Sequence, residues 1–149
     1  MAVQLQGNLV KKAHKKIKYT DKMLADLAKC SDPETGPMYF MENFLQIQHP
    51  TKGAIKFEPF KFQKNLVKNY HENRFSINML PRQTGKTTCA SAYLLWYAMF
   101  VPDSQILIAA HKYTGAQDIM NRFRYAYESV PDFIRPGIYS YIRNTIEFD

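Results

Sequence analysis

The feature that most constrains this chain is a short loop at residues 81–88, with the sequence PRQTGKTT. Its core, Gly85-Lys86-Thr87, is typical of a phosphate-binding loop, which joins a β-strand to the start of an α-helix. The setting agrees, because a mostly apolar run precedes the loop and a run rich in alanine and leucine follows it. The usual pattern has a further glycine five residues before Gly85, and here Leu80 occupies that position.

The residues of the loop have the chemistry needed to bind a triphosphate. Gly85 can adopt backbone angles that let the chain turn close to a phosphate, so that successive N–H groups form an anion-binding nest at the positive end of the next helix. We predict that Lys86 contacts the β- and γ-phosphates and that the Thr87 hydroxyl binds Mg²⁺. Arg82 either stabilises charge on the γ-phosphate or is a solvent-facing loop arginine, and spacing alone does not decide. The predicted nucleotide-binding residues of the loop are Arg82, Gln83, Thr84, Gly85, Lys86, Thr87 and Thr88, and Arg82 and Lys86 are the candidates for a catalytic role.

Composition favours a folded intracellular protein. Hydrophobic residues make up 46% of the chain, which is enough for a packed core. The two cysteines, Cys30 and Cys89, have no metal-binding spacing, and this pattern is typical of a reducing compartment. Residues 1–16 lack the apolar centre of a signal peptide, and residues 90–101 are too few to span a bilayer, so no membrane contact is expected.

The formal net charge of +7 lies mostly near the start of the chain. We predict that residues 1–18 form a basic, flexible arm ahead of a domain at residues 19–149. Such an arm is commonly solvated, and it also suits contact with nucleic acid. Its charge comes from five lysines without an acidic residue: Lys11, Lys12, Lys15, Lys16 and Lys18.

Hydrophobic periodicity and turn signals predict a series of helices and strands. The first helix has Thr20 as its N-cap, and the third places Phe60, Leu66, Val67 and Tyr70 inward. The predicted helices cover residues 19–29, 37–44, 59–72, 87–100 and 114–130. The predicted strands cover residues 45–48 and 54–57, which form a hairpin, and then residues 74–80, 105–110, 138–141 and 145–148.

The order from residue 74 onward is strand, loop, helix, strand, helix, which is a βαβ unit. The predicted fold is therefore α/β, a P-loop NTPase-type parallel sheet flanked by helices and entered from a helical N-terminal segment. Such a sheet normally has more strands than this chain supplies, so the sheet is expected to be incomplete.

The loop PRQTGKTT resembles the deviant Walker A loop of large terminase subunits, the ATP-driven DNA-packaging motors of tailed double-stranded DNA phages. That family often lacks the first glycine, which accounts for Leu80. Upstream, the run from Phe60 to Gln63 (FKFQ) resembles the adenine-recognition motif of the family. Downstream, ILIAAHK at residues 106–112 and AYESVPDFIRPGI at residues 126–138 resemble the segment that follows the loop.

The resemblance implies ATP and Mg²⁺ as cofactors. Gln63 would read the adenine edge, because a carboxamide both donates and accepts. Phe60 or Phe62 would pack on the base or, alternatively, in the core. Arg82 would be an arginine finger supplied in cis, and Lys86 and Thr87 would keep their phosphate and Mg²⁺ roles.

Family members translocate double-stranded DNA into proheads. They work in the cytoplasm of the host cell and are bound transiently at the prohead portal. The resemblance therefore implies double-stranded DNA, the portal and the small terminase subunit as partners, and a homo-oligomer in the full motor.

The Walker B aspartate and catalytic glutamate of the family have no counterpart, because no hydrophobic run here ends in Asp-Glu. Glu147 and Asp149 lie in a strand-like segment that matches an earlier strand of the family. The coupling motif and the nuclease domain are also missing. We therefore expect residues 19–149 to be the N-terminal part of a motor ATPase, with weak hydrolysis by itself.

Two other functions remain open from the sequence. Superfamily-two helicases also place a glutamine upstream of the phosphate loop and a strand–helix unit after it. A truncated product could instead act without catalysis, by binding nucleic acid through the lysine arm.

Overall fold

The computed structural model describes residues 10–49 and 51–149. Within these residues the chain forms helices and two small antiparallel sheets, and no helix is both long and apolar enough to cross a membrane. In chain order the elements are α1 (Asp21–Cys30), α2 (Gly36–Phe44), β1 (Gln46–His49), β2 (Gly53–Lys56), α3 (Lys61–Glu72), α4 (Lys86–Phe100), α5 (Tyr113–Ser129), β3 (Ile138–Ile142) and β4 (Thr145–Phe148).

The first two helices begin at residues that suit a helix start. Thr20 is the N-cap of α1, as predicted, and its hydroxyl oxygen accepts a hydrogen bond from the Met23 N–H at 3.4 Å. Pro37 lies in the first turn of α2, where its missing N–H costs nothing. The five predicted helices are confirmed to within a few residues at their ends.

The core is built around α4. This helix is apolar on most of its circumference, as expected of a helix covered on several sides, and α2, α3 and α5 all pack against it. Leu95 is fully buried and Trp96 is nearly so. The Trp96 indole N–H donates to the Cys30 carbonyl at 2.8 Å, which ties the end of α1 to the middle of α4. The phosphate-loop sequence therefore leads directly into the helix that has the largest number of buried residues among the described helices.

The predicted hairpin is confirmed, and the last two predicted strands are present and also pair with each other. Strands β1 and β2 pair antiparallel with Ile47 opposite Ile55. Strands β3 and β4 also pair antiparallel, with an irregularity between Ile138 and Ser140. Gly53 begins β2 with a φ of 73°, a left-handed angle that glycine adopts without strain.

The predicted parallel sheet is wrong for the described part of the chain, where the only parallel pairing is an isolated bridge. Residues 74–80 and 105–110 form no ladder, although exposure alternates as it does in strands over residues 77–80 and 105–109. Ile77 is 96% exposed and Met79 is 94% exposed, whereas Leu80 packs against the core. Leu107 is 92% exposed, between the half-buried Ile106 and Ile108. Neither segment has a neighbouring strand to pair with, so the fold is α/β only in the broad sense of mixed helices and small sheets.

A second correction concerns α3. Leu66 and Val67 are buried as predicted, and Tyr70 is half-buried against the core. Phe60, however, is 68% exposed, and Phe62 is 42% exposed. Phe60 lies outward because it is the N-cap of α3, with extended backbone angles, and not part of the helical face.

Residues 1–9 of the predicted arm lie outside the described residues, and residues 10–18 contain no helix. Lys11 is buried, and its ammonium donates to the Arg135 carbonyl at 2.7 Å. Burial lowers the pKa of Lys11. Lys12 forms a parallel bridge with Ile138, and the His14 N–H donates to the Asp149 carboxylate at 2.7 Å. Residues 11–14 of the predicted arm are thus bound to the β3–β4 hairpin and to the residues next to it.

We predict that Ile77→Lys and Leu107→Lys each change the free energy of unfolding by less than about 0.5 kcal/mol, because both side chains face solvent. Both substitutions should reduce self-association, because they break up exposed apolar surface, and sedimentation velocity measures this effect. Leu95→Ala is the matched control, and it should cost about 2–5 kcal/mol because Leu95 is buried. A loss of several kcal/mol in Ile77→Lys would contradict the exposed position of residues 74–80.

We also predict that the chain loses stability in alkali. Burial raises the pKa of Cys30 to about 12 and that of Cys89 to about 11, from the ordinary value of 9.0. Above pH 9 an unfolded chain releases these protons while the folded chain keeps them. Each thiol therefore lowers the free energy of unfolding by about 1.4 kcal/mol per pH unit until its folded pKa is reached.

Denaturation followed by circular dichroism across this pH range measures the decline. The Cys30→Ala/Cys89→Ala variant should decline less steeply, and an equal slope would mean that the thiols are not protected by folding.

Candidate functional site

The loop at residues 81–85 turns directly into α4. Gly85 is the N-cap of α4 and has a φ of 75°, and Gln83 also has a positive φ, of 63°. The Cys89 N–H donates to the Gly85 carbonyl at 2.9 Å. Two left-handed residues so close together give the tight bend that an anion-binding nest requires.

The loop is braced by its own polar groups. The Thr84 hydroxyl donates to the Pro81 carbonyl at 3.1 Å. The Lys86 ammonium donates to the same carbonyl at 3.2 Å and to the Leu80 carbonyl at 3.4 Å. Lys86 is nevertheless exposed, so its ammonium can exchange these carbonyls for phosphate oxygens with little rearrangement.

Gln63 connects the loop to α3. Its side chain is nearly buried, with 6% of the residue exposed. The carboxamide oxygen accepts from the Phe60 N–H at 2.9 Å, and the carboxamide nitrogen donates to the Thr84 carbonyl at 3.0 Å. A Cβ atom at Gly85 would lie 2.7 Å from that nitrogen. The structure thus brings Gln63, Thr84, Gly85 and Lys86 together.

The remaining predicted residues lie around this group. Arg82 and Gln83 are exposed in the loop, and Thr87 and Thr88 are half-buried in the first turn of α4. Among the described residues no side chain caps the start of α4. The N–H groups of its first turn are therefore available to an anion, together with the positive end of the helix dipole.

The donors around the loop also fit a magnesium nucleotide. Mg²⁺ bound with a nucleotide usually takes one or two protein oxygens and completes its shell with phosphate and water. Thr87 supplies one hydroxyl at the expected place. In the described ranges no group of three or more His, Cys, Asp or Glu side chains could form a separate metal site.

The sequence did not predict an exposed aromatic pair beside Gln63. The rings of Phe60 and Phe62 are stacked, with centroids 6.0 Å apart and planes 7° from parallel. Gln63 stands at the N3 position of α3 and accepts from the Phe60 N–H, which is one half of a capping box, whereas the Phe60 side chain has no oxygen to supply the other half. The bond from Gln63 to Thr84 spans 21 residues and has no local signal in the sequence.

The segment that leads into the loop is also tied to α3. The Asn69 carboxamide donates to the Asn78 carboxamide oxygen at 2.8 Å. With the Gln63 contact, this bond holds both sides of Leu80 and Pro81 to the same helix.

A cavity of about 550 Å³ lies on another side of α4, between β1, α4 and α5. It borders the loop only through Thr88, and the Ser91 hydroxyl on its wall has no partner among the described residues. The cavity is therefore separate from the group formed by Gln63, Thr84, Gly85 and Lys86.

One known protein family matches the segment of the chain that carries the loop. Residues 77–149 match the family described as terminase large subunit, T4likevirus-type, N-terminal. The matched residues include the loop, α4, α5 and the β3–β4 hairpin.

We predict that Gly85→Ala destabilises the fold more than Gly53→Ala does. Both positions have left-handed angles, which cost an alanine about 1–2 kcal/mol. At Gly53 a new Cβ meets nothing within 4 Å, whereas at Gly85 it displaces the Gln63 carboxamide. Displacing the carboxamide breaks its hydrogen bond to the Thr84 carbonyl. This loss should add about 1 kcal/mol to the destabilisation of Gly85→Ala.

Chemical denaturation of the two variants measures the difference. Equal losses would show that Gln63 does not pack against Gly85.

Proposed function

We propose, from the match of residues 77–149 to the terminase large-subunit family, that the chain binds ATP with Mg²⁺ as the N-terminal part of a DNA-packaging motor. The observation that carries the proposal is the left-handed Gly85 at the start of α4, with the Lys86 ammonium beside it. Backbone donors and a mobile cation then converge where a triphosphate would bind.

Each residue of the loop has a proposed task. The N–H groups of the bend and of the first turn of α4 bind the β- and γ-phosphates, and Lys86 neutralises their charge. The Thr87 hydroxyl would hold Mg²⁺, which would supply Lewis-acid stabilisation of the phosphate charge when bound. Arg82 is exposed in the loop, where its guanidinium can turn toward the γ-phosphate and act as an arginine finger in cis.

The proposed role of the nucleotide is to drive movement of double-stranded DNA into a prohead. In the full motor the partners would be the portal, the small terminase subunit and further copies of the same subunit, in the host cytoplasm. The family of residues 77–149 supports this role over that of a superfamily-two helicase.

We predict that Lys86→Ala weakens binding of Mg²⁺-ATP by about 10- to 100-fold. A charged hydrogen bond contributes about 1.5–3 kcal/mol, and each 1.4 kcal/mol corresponds to tenfold in affinity. Isothermal titration calorimetry on the whole chain measures the change.

Lys68→Ala is the matched control, because the Lys68 side chain is 69% exposed on α3 and pairs with Glu72 on the same helix. It should leave the affinity unchanged. Unchanged affinity in Lys86→Ala would contradict the assignment of residues 81–88 as the phosphate site.

A further inference from the structure

We infer that Gln63 is a positioning residue that holds the phosphate loop in its bent form, and that it does not select the base. The nucleotide part of this inference rests on the proposed function, whereas the contact with the loop does not. The argument starts from the surroundings of the Gln63 carboxamide.

The carboxamide already has a partner at each end. Its oxygen accepts from the Phe60 N–H, and its nitrogen donates to the Thr84 carbonyl. Reading adenine requires one donor and one acceptor directed at the base edge. Since only 6% of Gln63 is exposed, the side chain would have to leave both partners to present them.

The absence of a side chain at Gly85 leaves room for the Gln63 carboxamide. The Gln63 nitrogen occupies the space that a side chain at Gly85 would need, at 2.7 Å from the Cβ position. Gln63 therefore packs against the left-handed residue of the bend and bonds to the carbonyl just before it. These two contacts restrict the backbone angles on which the anion-binding nest depends.

The exposed Phe60 and Phe62 rings offer a different contact for the base. They form a stacked aromatic pair at the start of α3, and Phe60 is bonded through its N–H to Gln63. Stacking on an aromatic face favours bases of every kind, because each base has a π-face. Selection between adenine and guanine should accordingly be weak.

The first test needs no nucleotide. Amide hydrogen exchange is measured by NMR in Gln63→Ala, Gln63→Glu and the control Asn65→Ala, which changes an exposed residue on the same helix. In Gln63→Ala the Phe60 N–H should exchange about tenfold faster, because it loses its acceptor.

In Gln63→Glu the Phe60 N–H should stay protected, because a carboxylate oxygen still accepts. The donor to Thr84 is lost, so the resonances of Thr84 and Gly85 should shift. Unchanged Thr84 and Gly85 resonances in both variants would overturn the inference.

The second test compares ATP and GTP, each with Mg²⁺, by calorimetry. Gln63→Ala should weaken both nucleotides by the same factor, about tenfold, so that the ratio of their affinities is kept. Phe60→Ala should likewise weaken both. A loss confined to ATP in Gln63→Ala would show that the carboxamide reads adenine and would overturn the inference.

If the unaltered chain binds neither nucleotide, the proposed function fails, and the exchange measurements still decide whether Gln63 holds the loop.

Discussion

The burial of α4 is the constraint on which the rest of the structure depends. Cys89 and Leu95 are fully buried, and α2, α3 and α5 all pack against the helix that carries them. At about 25 cal/mol per Å² of apolar surface, such packing outweighs the contribution of any single hydrogen bond in the loop. Because the candidate site is the start of this same helix, the core fixes where the bend lies. The hydrogen bonds from Gln63 and Lys86 to loop carbonyls then determine the shape of the bend.

The features that the sequence predicts correctly are those with local causes. The cap at Thr20 and the turn of the predicted hairpin depend on residues a few positions apart. The bend at Gly85 belongs to the same class, since its left-handed angle follows from the residue itself. Residues 74–80 and 105–110 failed as strands for the opposite reason. A strand needs a neighbour that hydrophobic periodicity cannot supply, and an apolar run with one covered face satisfies the same pattern.

In the candidate site, too, the sequence predicts features with local causes and misses contacts between distant residues. The positions of residues 81–88 followed from a motif, and the structure places them at the start of α4. The contact between Gln63 and Thr84 depends on how α3 and α4 pack, so spacing could not predict it. The exposure of Phe60 was missed because periodicity assigned it to a helical face, whereas the residue caps the helix. A motif can therefore point to Gln63, whereas its contact with Thr84 is visible only in the structure.

The position of Trp96 gives the protein a built-in optical reporter. It is the single tryptophan of the sequence, so ultraviolet excitation at long wavelength samples one place in the fold. Its indole stacks near Tyr93, meets the edge of His71 at 5.5 Å between centroids, and donates to the Cys30 carbonyl. Quenching and spectral shift of the emission depend on these neighbours. Any displacement of α4 against α1 and α3 should therefore change the fluorescence without a label.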